Sequence, residues 1–463
     1  MPKGLPFDPS MLKLQRGVDN QTMYKLYELS GDFEKDFVSL CALVDMEVDV
    51  AHRVQMVDNN NTRNVEVKRR LANTSSEPLL HTQREESSKP IRKLNIEIST
   101  ERETCTPDED GEKKTNRRKE KVHHPESVTG IYMRNSVMDS VVIDVLSKTT
   151  KNLSHLTVLH LWNIGLRADT LYSLKECLTL IPSLRRLRLD GNRLAEGNHF
   201  ETFIRQPSPL KLRHFSLKHC GIDGRATAHL ARALSDNKYL LTLNLCFNDI
   251  GDEGAMCLAK CLRTNCSLLS LDVGSNGITN AGVKCIADVL MDFPLTHEET
   301  ILHRHLKISN KSKCFEPEVN ADPSVPAKAK TSSSKNRTKV SKSRKSGRSV
   351  VFAESIDSAD PNPEKDHQIF EPLDTDFVEH RFLDVTHKSN GQIWVHGNTS
   401  LVNLNLSRNR ITGAALTYLF SAVEQQQQQH VHKGGLTRLS LKKNLFSMEN
   451  QTYVDLMHLF KSQ

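Results

Sequence analysis

Leucine and other apolar residues recur along the middle of the chain in the pattern L-x-x-L-x-L-x-x-N/C-x-L. The segment that begins at Leu240 reads LLTLNLCFNDI, and the segment that begins at Leu268 reads LLSLDVGSNGI. Matching segments begin at Leu156, Leu184 and Leu212, so five copies follow one another at intervals of 28 residues. Repetition at this period is typical of a solenoid, because a short unit can bury its apolar faces only against its neighbours.

Two more copies of the pattern follow a long interval. One begins at Leu401 within SLVNLNLSRNRI, and the other begins at Leu436 and reads LTRLSLKKNLF. The sixth start lies 133 residues after the fifth, which is one period plus 105 residues that include a lysine- and serine-rich tract. We therefore predict that an insertion interrupts the array and that residues 401–411 lie beside residues 268–278 in one sheet.

Each unit is expected to contain one strand and one helix. The alternation in L-x-L predicts a short strand whose leucines point inward, and the Asn or Cys is expected to hydrogen-bond backbone groups in the interior. The second half of the fourth copy, DEGAMCLAKCL, places Ala255, Leu258, Ala259 and Leu262 on one face of a helix. The predicted fold is an α/β solenoid shaped like a horseshoe, with parallel strands on the concave face, helices on the convex face and long disordered insertions.

The segments outside the copies carry signals of their own. DFEKDFVSLCALVDM and residues 136–150 have helical periodicity, KLNIEI suggests a short strand, Thr296 and Glu299 form a capping box, and Asn390-Gly391 indicates a hairpin. The predicted organisation is a mostly disordered N-terminal segment with one candidate helix (1–125), an N-terminal cap (126–155), copies one to five (156–295), a helical extension (296–310), a disordered basic insert (311–375), a hairpin-like segment (376–399), and copies six and seven with a C-terminal cap (400–463).

Composition and charge limit the classes of protein that fit. Hydrophobic residues make up 37% of the chain and aromatic residues 5%, which indicates a folded core diluted by polar sequence. Nine Lys or Arg and no acidic residue lie between Pro323 and Ala353, so the net charge of +7 comes from this tract. The chain has no apolar run of the ~18 residues that a membrane span needs, and its first residues lack the apolar segment of a secretory signal. We expect a cytoplasmic protein with reduced cysteines that is neither secreted nor bound to a membrane.

These motifs resemble a known family. The 28-residue period with a helical second half is similar to the ribonuclease-inhibitor-like class of leucine-rich repeats. The layout of five repeats, a long insert and then GNTSLVNLNLSRNRI also resembles the family of leucine-rich-repeat-containing protein 71. That resemblance implies a non-catalytic scaffold in the cilium or axoneme and supplies no site residues. Candidate partners are axonemal proteins or tubulin, whose acidic tails the basic tract would bind by electrostatic attraction.

Motifs of catalysis are absent from the sequence. It contains no GxxxxGK[ST] phosphate-binding loop and no HExxH motif, and HEETILHRH spaces its histidines wrongly for a metal site on one helix face. Cys257 and Cys261 lie four residues apart on a predicted helix, with Cys246 on the preceding strand. A metal site is one interpretation of these cysteines, and buried packing of small residues is the favoured one. We expect no enzymatic activity, no cofactor and no metal.

The x positions of the pattern define a candidate binding surface, because side chains alternate along a strand and these positions face the concave side. Adjacent strands lie about 4.8 Å apart, so the cations of copies two and three are expected to form one patch. Arginines there would form paired hydrogen bonds with an acidic protein partner, and aromatic rings would anchor it. A solvated strand face is the alternative, and Trp162 could equally fill the core of the first copy. The candidate partner-binding residues are Trp162, Arg185, Arg186, Arg188, Arg213, Lys218 and Phe247.

The resulting hypothesis is an intracellular scaffold or adaptor that binds another protein through the concave face. A regulatory binder of an enzyme or small GTPase is one alternative, because inhibitors and GTPase-activating proteins use the same repeat class. A second alternative is that the basic insert associates with nucleic acid or another acidic polymer. Nucleic acid is not the expected partner, since the tract KAKTSSSKNRTKVSKSRKSGR has no aromatic residue on which bases could stack.

Overall fold

The computed structural model describes residues 27–44, 46–58, 61–70, 92–102, 128–194, 199–313, 380–428 and 434–461. The chain divides into two compact units, one formed by Met1–Ile301 with His380–Gln463 and the other by Leu302–Glu379. The strands and the repeated units described below belong to the first unit.

Strands and helices alternate through most of the described chain. The strands are β1 (Met46–Asp58), β2 (Asn61–Arg70), β3 (Arg92–Arg102), β4 (Val128–Arg134), β5 (Val158–Trp162), β6 (Arg186–Arg188), β7 (His214–Ser216), β8 (Thr242–Asn244), β9 (Ser270–Asp272), β10 (Phe293–Pro294), β11 (Val385–Ser389), β12 (Gln392–Val395), β13 (Asn403–Asn405) and β14 (Arg438–Ser440). The α-helices are α1 (Phe33–Leu43), α2 (Ser140–Thr150), α3 (Ala168–Thr179), α4 (Gly224–Ser235), α5 (Gly251–Leu262), α6 (Asn280–Leu290), α7 (His297–Lys313), α8 (Leu416–Gln428) and α9 (Gln451–Leu459).

Eleven strands form one sheet in the order β14-β13-β9-β8-β7-β6-β5-β4-β3-β1-β2. From β4 to β14 every neighbouring pair is parallel and in the same register. Leu187 therefore lies opposite Leu159 on one side and Phe215 on the other, each one period away. Leu187 is buried while Arg186 and Arg188 are exposed, as the alternation along a strand requires. The solenoid fold predicted from the 28-residue period is confirmed.

The insertion does not change this register. β13 pairs in parallel with β9, and Leu404 lies opposite Leu271. Just before β13, the side chain of Asn398 donates to the carbonyl oxygens of Leu262 and Asn265 at 2.8 and 3.1 Å, which fixes the returning chain to the fifth copy. The predicted position of residues 401–411 beside residues 268–278 is the one found.

A residue with positive φ ends the strand segment of each unit. It turns the chain so that the following Asn or Cys enters the interior. There Asn248 donates to the carbonyl oxygens of Leu217 and Leu245 and accepts the backbone N–H of Cys220. In eight units the residues at this turn position have φ between +49° and +77°: Asn135, Asn163, Gly191, His219, Phe247, Ser275, Arg408 and Lys443.

The N-terminal part of the sheet corrects the sequence interpretation. The sequence predicts a mostly disordered segment over residues 1–125, but β1, β2 and β3 lie in it and extend the sheet. KLNIEI lies within β3, and α1 lies within the predicted helix. Val48 lies opposite Leu94, and both side chains are buried. Because these paired residues are 46 positions apart, no short-range pattern indicates that the two strands belong together.

The predicted N-terminal cap, residues 126–155, is a complete strand–helix unit. α2 lies within the expected helix, and β4 precedes it and pairs in parallel with β5 one period away. The sheet continues beyond this unit to β3, which pairs antiparallel with β4, so this unit is the first of the parallel array. A search for leucine does not find this unit, because methionine, isoleucine and serine occupy positions where the other copies have leucine and asparagine. Its pattern positions are Val128, Ile131, Met133, Ser136 and Met138.

The second copy departs from the predicted helical scheme. Its described second half contains a 3-10 helix, Phe200–Phe203, where the other copies have an α-helix. Pro207 and Pro209 follow closely, and proline lacks the backbone N–H that an α-helix needs and clashes with the preceding turn.

The sequence predicts both the helix that follows the fifth copy, α7, and the hairpin that precedes the sixth copy, β11 and β12. Thr296 and Glu299 exchange backbone-to-side-chain hydrogen bonds at 2.8 and 3.2 Å, which is the predicted capping box of α7. β11 and β12 form an antiparallel hairpin with Asn390 and Gly391 at its turn, both at positive φ. β12 pairs with β10 in a separate three-stranded sheet. The predicted basic insert, residues 311–375, lies outside the described residues from position 314 onward.

Candidate protein-binding surface

A group of cations lies on β6 and β7, where the strand geometry places successive outward side chains side by side. Arg186 and Arg188 are exposed on β6, and Arg213 is exposed immediately before β7. Arg186 lies directly opposite His214 in the register of the two strands. We call Arg186, Arg188 and Arg213 the basic stripe.

The electrostatics of His214 show how close these charges are. Burial lowers the pKa of its imidazole, and the guanidinium groups of Arg186 and Arg213 lower the pKa further. A proton on His214 would add a third positive charge between two others. Burial and, after it, the two guanidinium groups thus favour the neutral form of the ring.

Asp190, the acidic residue that follows the basic stripe in the second copy, already accepts two hydrogen bonds. Asp190, two residues after Arg188, accepts hydrogen bonds from the hydroxyl of Ser216 at 2.6 Å and from the backbone N–H of Lys218 at 3.0 Å. It thus serves to join the second copy to the third. Within the described ranges, the three arginines of the basic stripe take part in no ion pair, so the surface has excess positive charge.

Arg185 lies outside the basic stripe, although the sequence places it in the same patch. Its guanidinium donates to the carbonyl oxygens of Pro182 and Leu184 at 2.6 and 2.9 Å. The side chain is therefore held by its own loop, and its backbone N–H bonds to the carbonyl of Thr157. The period predicts the position of Arg185 but gives no information about the loop carbonyls that hold its side chain.

A second cluster surrounds Phe247 at the carboxyl ends of the strands. The imidazole of His219 stacks on the ring of Phe247, with the centroids 4.6 Å apart and the planes 18° apart. The ammonium nitrogen of Lys218 lies 4.8 Å from the centroid of the ring, and the guanidinium carbon of Arg408 lies 5.9 Å from it. We call these four residues the aromatic cluster. The sequence indicates Lys218 and Phe247 as candidates, and the structure brings His219 and Arg408 to them.

Trp162 is at the surface. Its side chain is 45% exposed, which excludes a role as core filler of the first copy. The indole covers the backbone of Gly191, where an added Cβ would lie 2.9 Å from Nε1. Next to it, the ring of Tyr132 packs edge-on against His160 at 4.7 Å. Sequence reasoning missed Tyr132, since it lies in the unit hidden by its variant pattern.

The cysteines considered for a metal site do not form one. Across the described part of the chain, no group of three or more His, Cys, Asp or Glu residues is arranged to hold a metal ion. Burial raises the pKa of the Cys246 thiol to about 11, and it raises that of Cys261 as well. These environments oppose formation of the thiolate that a metal would require. The same ranges contain no helix with the length and apolar character needed to span a membrane.

Three segments of the chain match a family model described as "Leucine Rich repeat": residues 236–259, 264–287 and 397–420. Each segment begins four residues before a pattern start, at Leu240, Leu268 and Leu401. The match therefore includes the copy after the insertion, in agreement with the pairing of β13 and β9.

The chain also has a weak likeness to solved structures. The actin-binding site 2 of leiomodin-1 is 12% identical over 52% of this chain and 73% of its own, with a TM-score of 0.23. The tropomodulin C-terminal domain of Caenorhabditis elegans is 17% identical over 29% and 81%, with a TM-score of 0.24. An internalin of Listeria monocytogenes is 12% identical over 72% and 86%, with a TM-score of 0.18. The superpositions are poor, so no property of these proteins is transferred to this chain.

The parallel sheet, the buried asparagines of copies two, four, five and six, and the three family matches agree with one another. Together they show that the chain folds as a leucine-rich-repeat solenoid.

Proposed function

We propose that this chain is a non-catalytic scaffold that binds another protein through its concave face, with the basic stripe holding an acidic segment of that partner. The observation that supports the proposal is the excess charge of Arg186, Arg188 and Arg213, beside an Asp190 whose carboxylate already accepts two hydrogen bonds. A guanidinium group binds a carboxylate through two parallel hydrogen bonds, so adjacent arginines on neighbouring strands suit a run of acidic side chains.

We further propose that the partner belongs to the cilium or axoneme, with an acidic tubulin tail as the simplest candidate. This part of the proposal rests on the resemblance of the layout, five repeats followed by a long insert and GNTSLVNLNLSRNRI, to the family of leucine-rich-repeat-containing protein 71. Such tails are flexible and rich in glutamate, and an extended acidic chain could lie across the basic stripe.

A binding titration with a charge-matched control tests the basic stripe. The probe is a fluorescently labelled, glutamate-rich peptide, and the variant is Arg186→Glu with Arg213→Glu. The control is Arg225→Glu with Arg232→Glu, which reverses two exposed charges on α4 without touching the strand face. We expect the stripe variant to weaken binding at least about tenfold and the control variant to change it about twofold or less. Equal losses in both variants would show a dependence on net charge alone and would refute a specific site.

The basic tract is the competing candidate, because it contains nine Lys or Arg and no acidic residue between Pro323 and Ala353. Deletion of residues 323–350 tests it with the same peptide over a range of salt concentrations. Binding through the basic stripe predicts that the deletion leaves affinity largely intact. Loss of binding upon deletion, with both arginines in place, would assign the interaction to the tract as polyelectrolyte attraction.

A further inference from the structure

Phe247 occupies a backbone conformation that disfavours its side chain. Its φ is +59°, in the left-handed region where residues other than Gly, Asn and Asp are uncommon and bulky ones are outliers. In the equivalent position the other seven units carry polar residues or glycine, and Phe247 is the single large apolar residue among the eight. A residue kept in a strained position indicates a role that outweighs the strain.

The ring of Phe247 does not serve the core. The inward positions of its unit are filled by Leu243, Leu245 and Asn248, which are all buried. The ring lies instead at the half-buried rim of the concave face, stacked on His219. Its αL conformation therefore presents an aromatic surface to the groove.

Two cations hold positions beside the same ring. Lys218 approaches from the third copy and Arg408 from the sixth, at 4.8 and 5.9 Å from the centroid. Neither cation forms an ion pair with an acid of the described residues. Cation–π attraction to the ring places both charges without neutralising them, so they are available to an incoming anion.

The aromatic cluster depends on the return of the chain after the insertion. Arg408 follows β13, whose pairing with β9 brings it within reach of Phe247 across the unit that carries Ser275. The third, fourth and sixth copies therefore contribute to one site, which none of them forms alone.

We propose that the aromatic cluster recognises an aromatic or large apolar side chain flanked by carboxylates in the acidic partner segment. The apolar side chain packs against Phe247, while Lys218 and Arg408 bind the flanking carboxylates. This inference rests on the proposed function and adds sequence specificity to it. A run of glutamates would bind the basic stripe, and only a run interrupted by an apolar residue would also engage the aromatic cluster.

The test compares two labelled peptides against the intact chain. Both are glutamate-rich, and they differ only in a central residue that is Phe in one and Ser in the other. We expect the wild-type protein to bind the Phe peptide about tenfold more tightly. Phe247→Asn should abolish this preference, which is the coupling expected of two residues in contact.

The choice of asparagine separates a binding role from a structural one. Asparagine tolerates the left-handed conformation and already occupies the position at Asn135 and Asn163. Phe247→Asn relieves the left-handed strain but loses the contacts of the ring with His219, Lys218 and Arg408, so the melting temperature serves to confirm that the variant is folded. A folded variant that keeps the preference for the Phe peptide would overturn the proposal.

A second variant keeps this proposal distinct from the function on which it rests. Arg186→Glu with Arg213→Glu should weaken both peptides equally and leave their ratio unchanged. If that variant weakens binding while Phe247→Asn does not alter the ratio, the aromatic cluster is refuted and the basic stripe stands. If neither variant has an effect, the concave face is not the binding surface and both proposals fail.

Discussion

The side-chain oxygen of Asn409 accepts the backbone N–H of Asn276 at 2.9 Å, although the two residues are 133 positions apart in the chain. The equivalent bond within the uninterrupted array joins the N–H of Asn248 to the oxygen of Asn276 at 3.2 Å, only 28 positions apart. The ladder of buried asparagines thus continues across the insertion as if its ends were adjacent. Asn409 is consequently the residue through which the returning chain completes the interior of the fifth copy.

Asn409→Ala should strongly destabilise the array. The side chain also accepts the N–H of Ile278 at 3.2 Å and donates to the carbonyl oxygens of Val273 and Leu406 at 3.1 and 2.9 Å. Its removal leaves two buried N–H groups without partners, and each such group costs about 1–3 kcal/mol. We expect the free energy of unfolding, measured by urea denaturation, to fall by about 3 kcal/mol.

Asn403→Ala is the matched control for this substitution. Asn403 is only half-buried and donates to the hydroxyl of Ser270 at 3.0 Å on the concave side of the same pair of strands. Its loss should cost about 0.5 kcal/mol, because water can replace the bond. Similar losses in the two variants would mean that the ladder across the insertion adds little to stability.

Gly397→Ala should interfere with docking of the returning chain in a different way. A Cβ at this position would overlap the backbone carbonyl of Leu290 and lie 2.6 Å from the carbonyl oxygen of Met291. Backbone atoms at the end of α6 cannot move aside as a side chain can, so we expect a loss of about 3 kcal/mol. Gly413→Ala provides the comparison, because its Cβ would meet only the end of the Asn450 side chain at 3.0 Å. Calorimetric melting of both variants checks the difference, and equal melting temperatures would exclude the steric argument.

The sequence predicts the repeated part of this fold because one periodic constraint determines many positions. A spacing of 28 places Arg186 beside His214, and the return of the same pattern after the insertion places Leu404 beside Leu271. The same reasoning misses β4, where Ile131 and Met133 preserve the buried pattern without leucine. Strand pairing such as that of β1 with β3 depends on contacts between distant segments, and no repeat in the sequence indicates it.

In the candidate site, the sequence predicts on which face a residue lies but does not predict which groups its side chain contacts. Register alone predicts that the cations of the second and third copies share one face. It does not predict that Arg185 turns back to the carbonyl of Pro182, or that Arg408 reaches the ring of Phe247. Those contacts depend on side-chain conformation and loop geometry, which differ among copies of one pattern.

The basic stripe should make stability depend on pH. Burial, Arg186 and Arg213 lower the pKa of His214 below its ordinary value of 6.5 in the folded protein. In the unfolded chain the ring returns to that ordinary value, so the unfolded state binds more protons at intermediate pH. The free energy of unfolding should therefore be greatest above pH 6.5 and should decrease as the pH falls through 6.5 towards the lowered pKa of the folded state.

His214→Gln should reduce this decrease, because glutamine does not titrate. Urea denaturation at a series of pH values from neutral to about 5 measures the slope. His229→Gln, which removes an exposed histidine on α4, serves as the control for the loss of a histidine. A slope that is unchanged in His214→Gln would show that neither burial nor the two guanidinium groups lower the pKa of the ring in the folded protein.

Cys220 occupies a ladder position that its neighbours fill with Asn192 and Asn248. Its backbone N–H donates to the oxygen of Asn248 at 2.9 Å, and its thiol lies 3.2 Å from the carbonyl oxygen of Leu189. The backbone N–H of Asn192 faces the sulfur, which is a weak acceptor, whereas the equivalent group of Asn248 binds an asparagine oxygen. Cys220→Asn should supply the missing oxygen and raise the free energy of unfolding by about 1 kcal/mol.

A second buried cysteine distinguishes this effect from a general tolerance of asparagine. Cys177 is buried on α3, away from the ladder, so the amide of Cys177→Asn would enter an interior that offers no ladder partners. We expect that substitution to lower the free energy of unfolding by about 2 kcal/mol, because the larger amide must fit a packed interior beside Ser147 and Thr150. Urea denaturation of the two variants beside the wild type decides the matter. If Cys220→Asn also lowers the free energy of unfolding, the cost of the added amide volume exceeds the gain from its hydrogen bonds. The weak sulfur acceptor of Cys220 would then not be what limits the stability of the third copy.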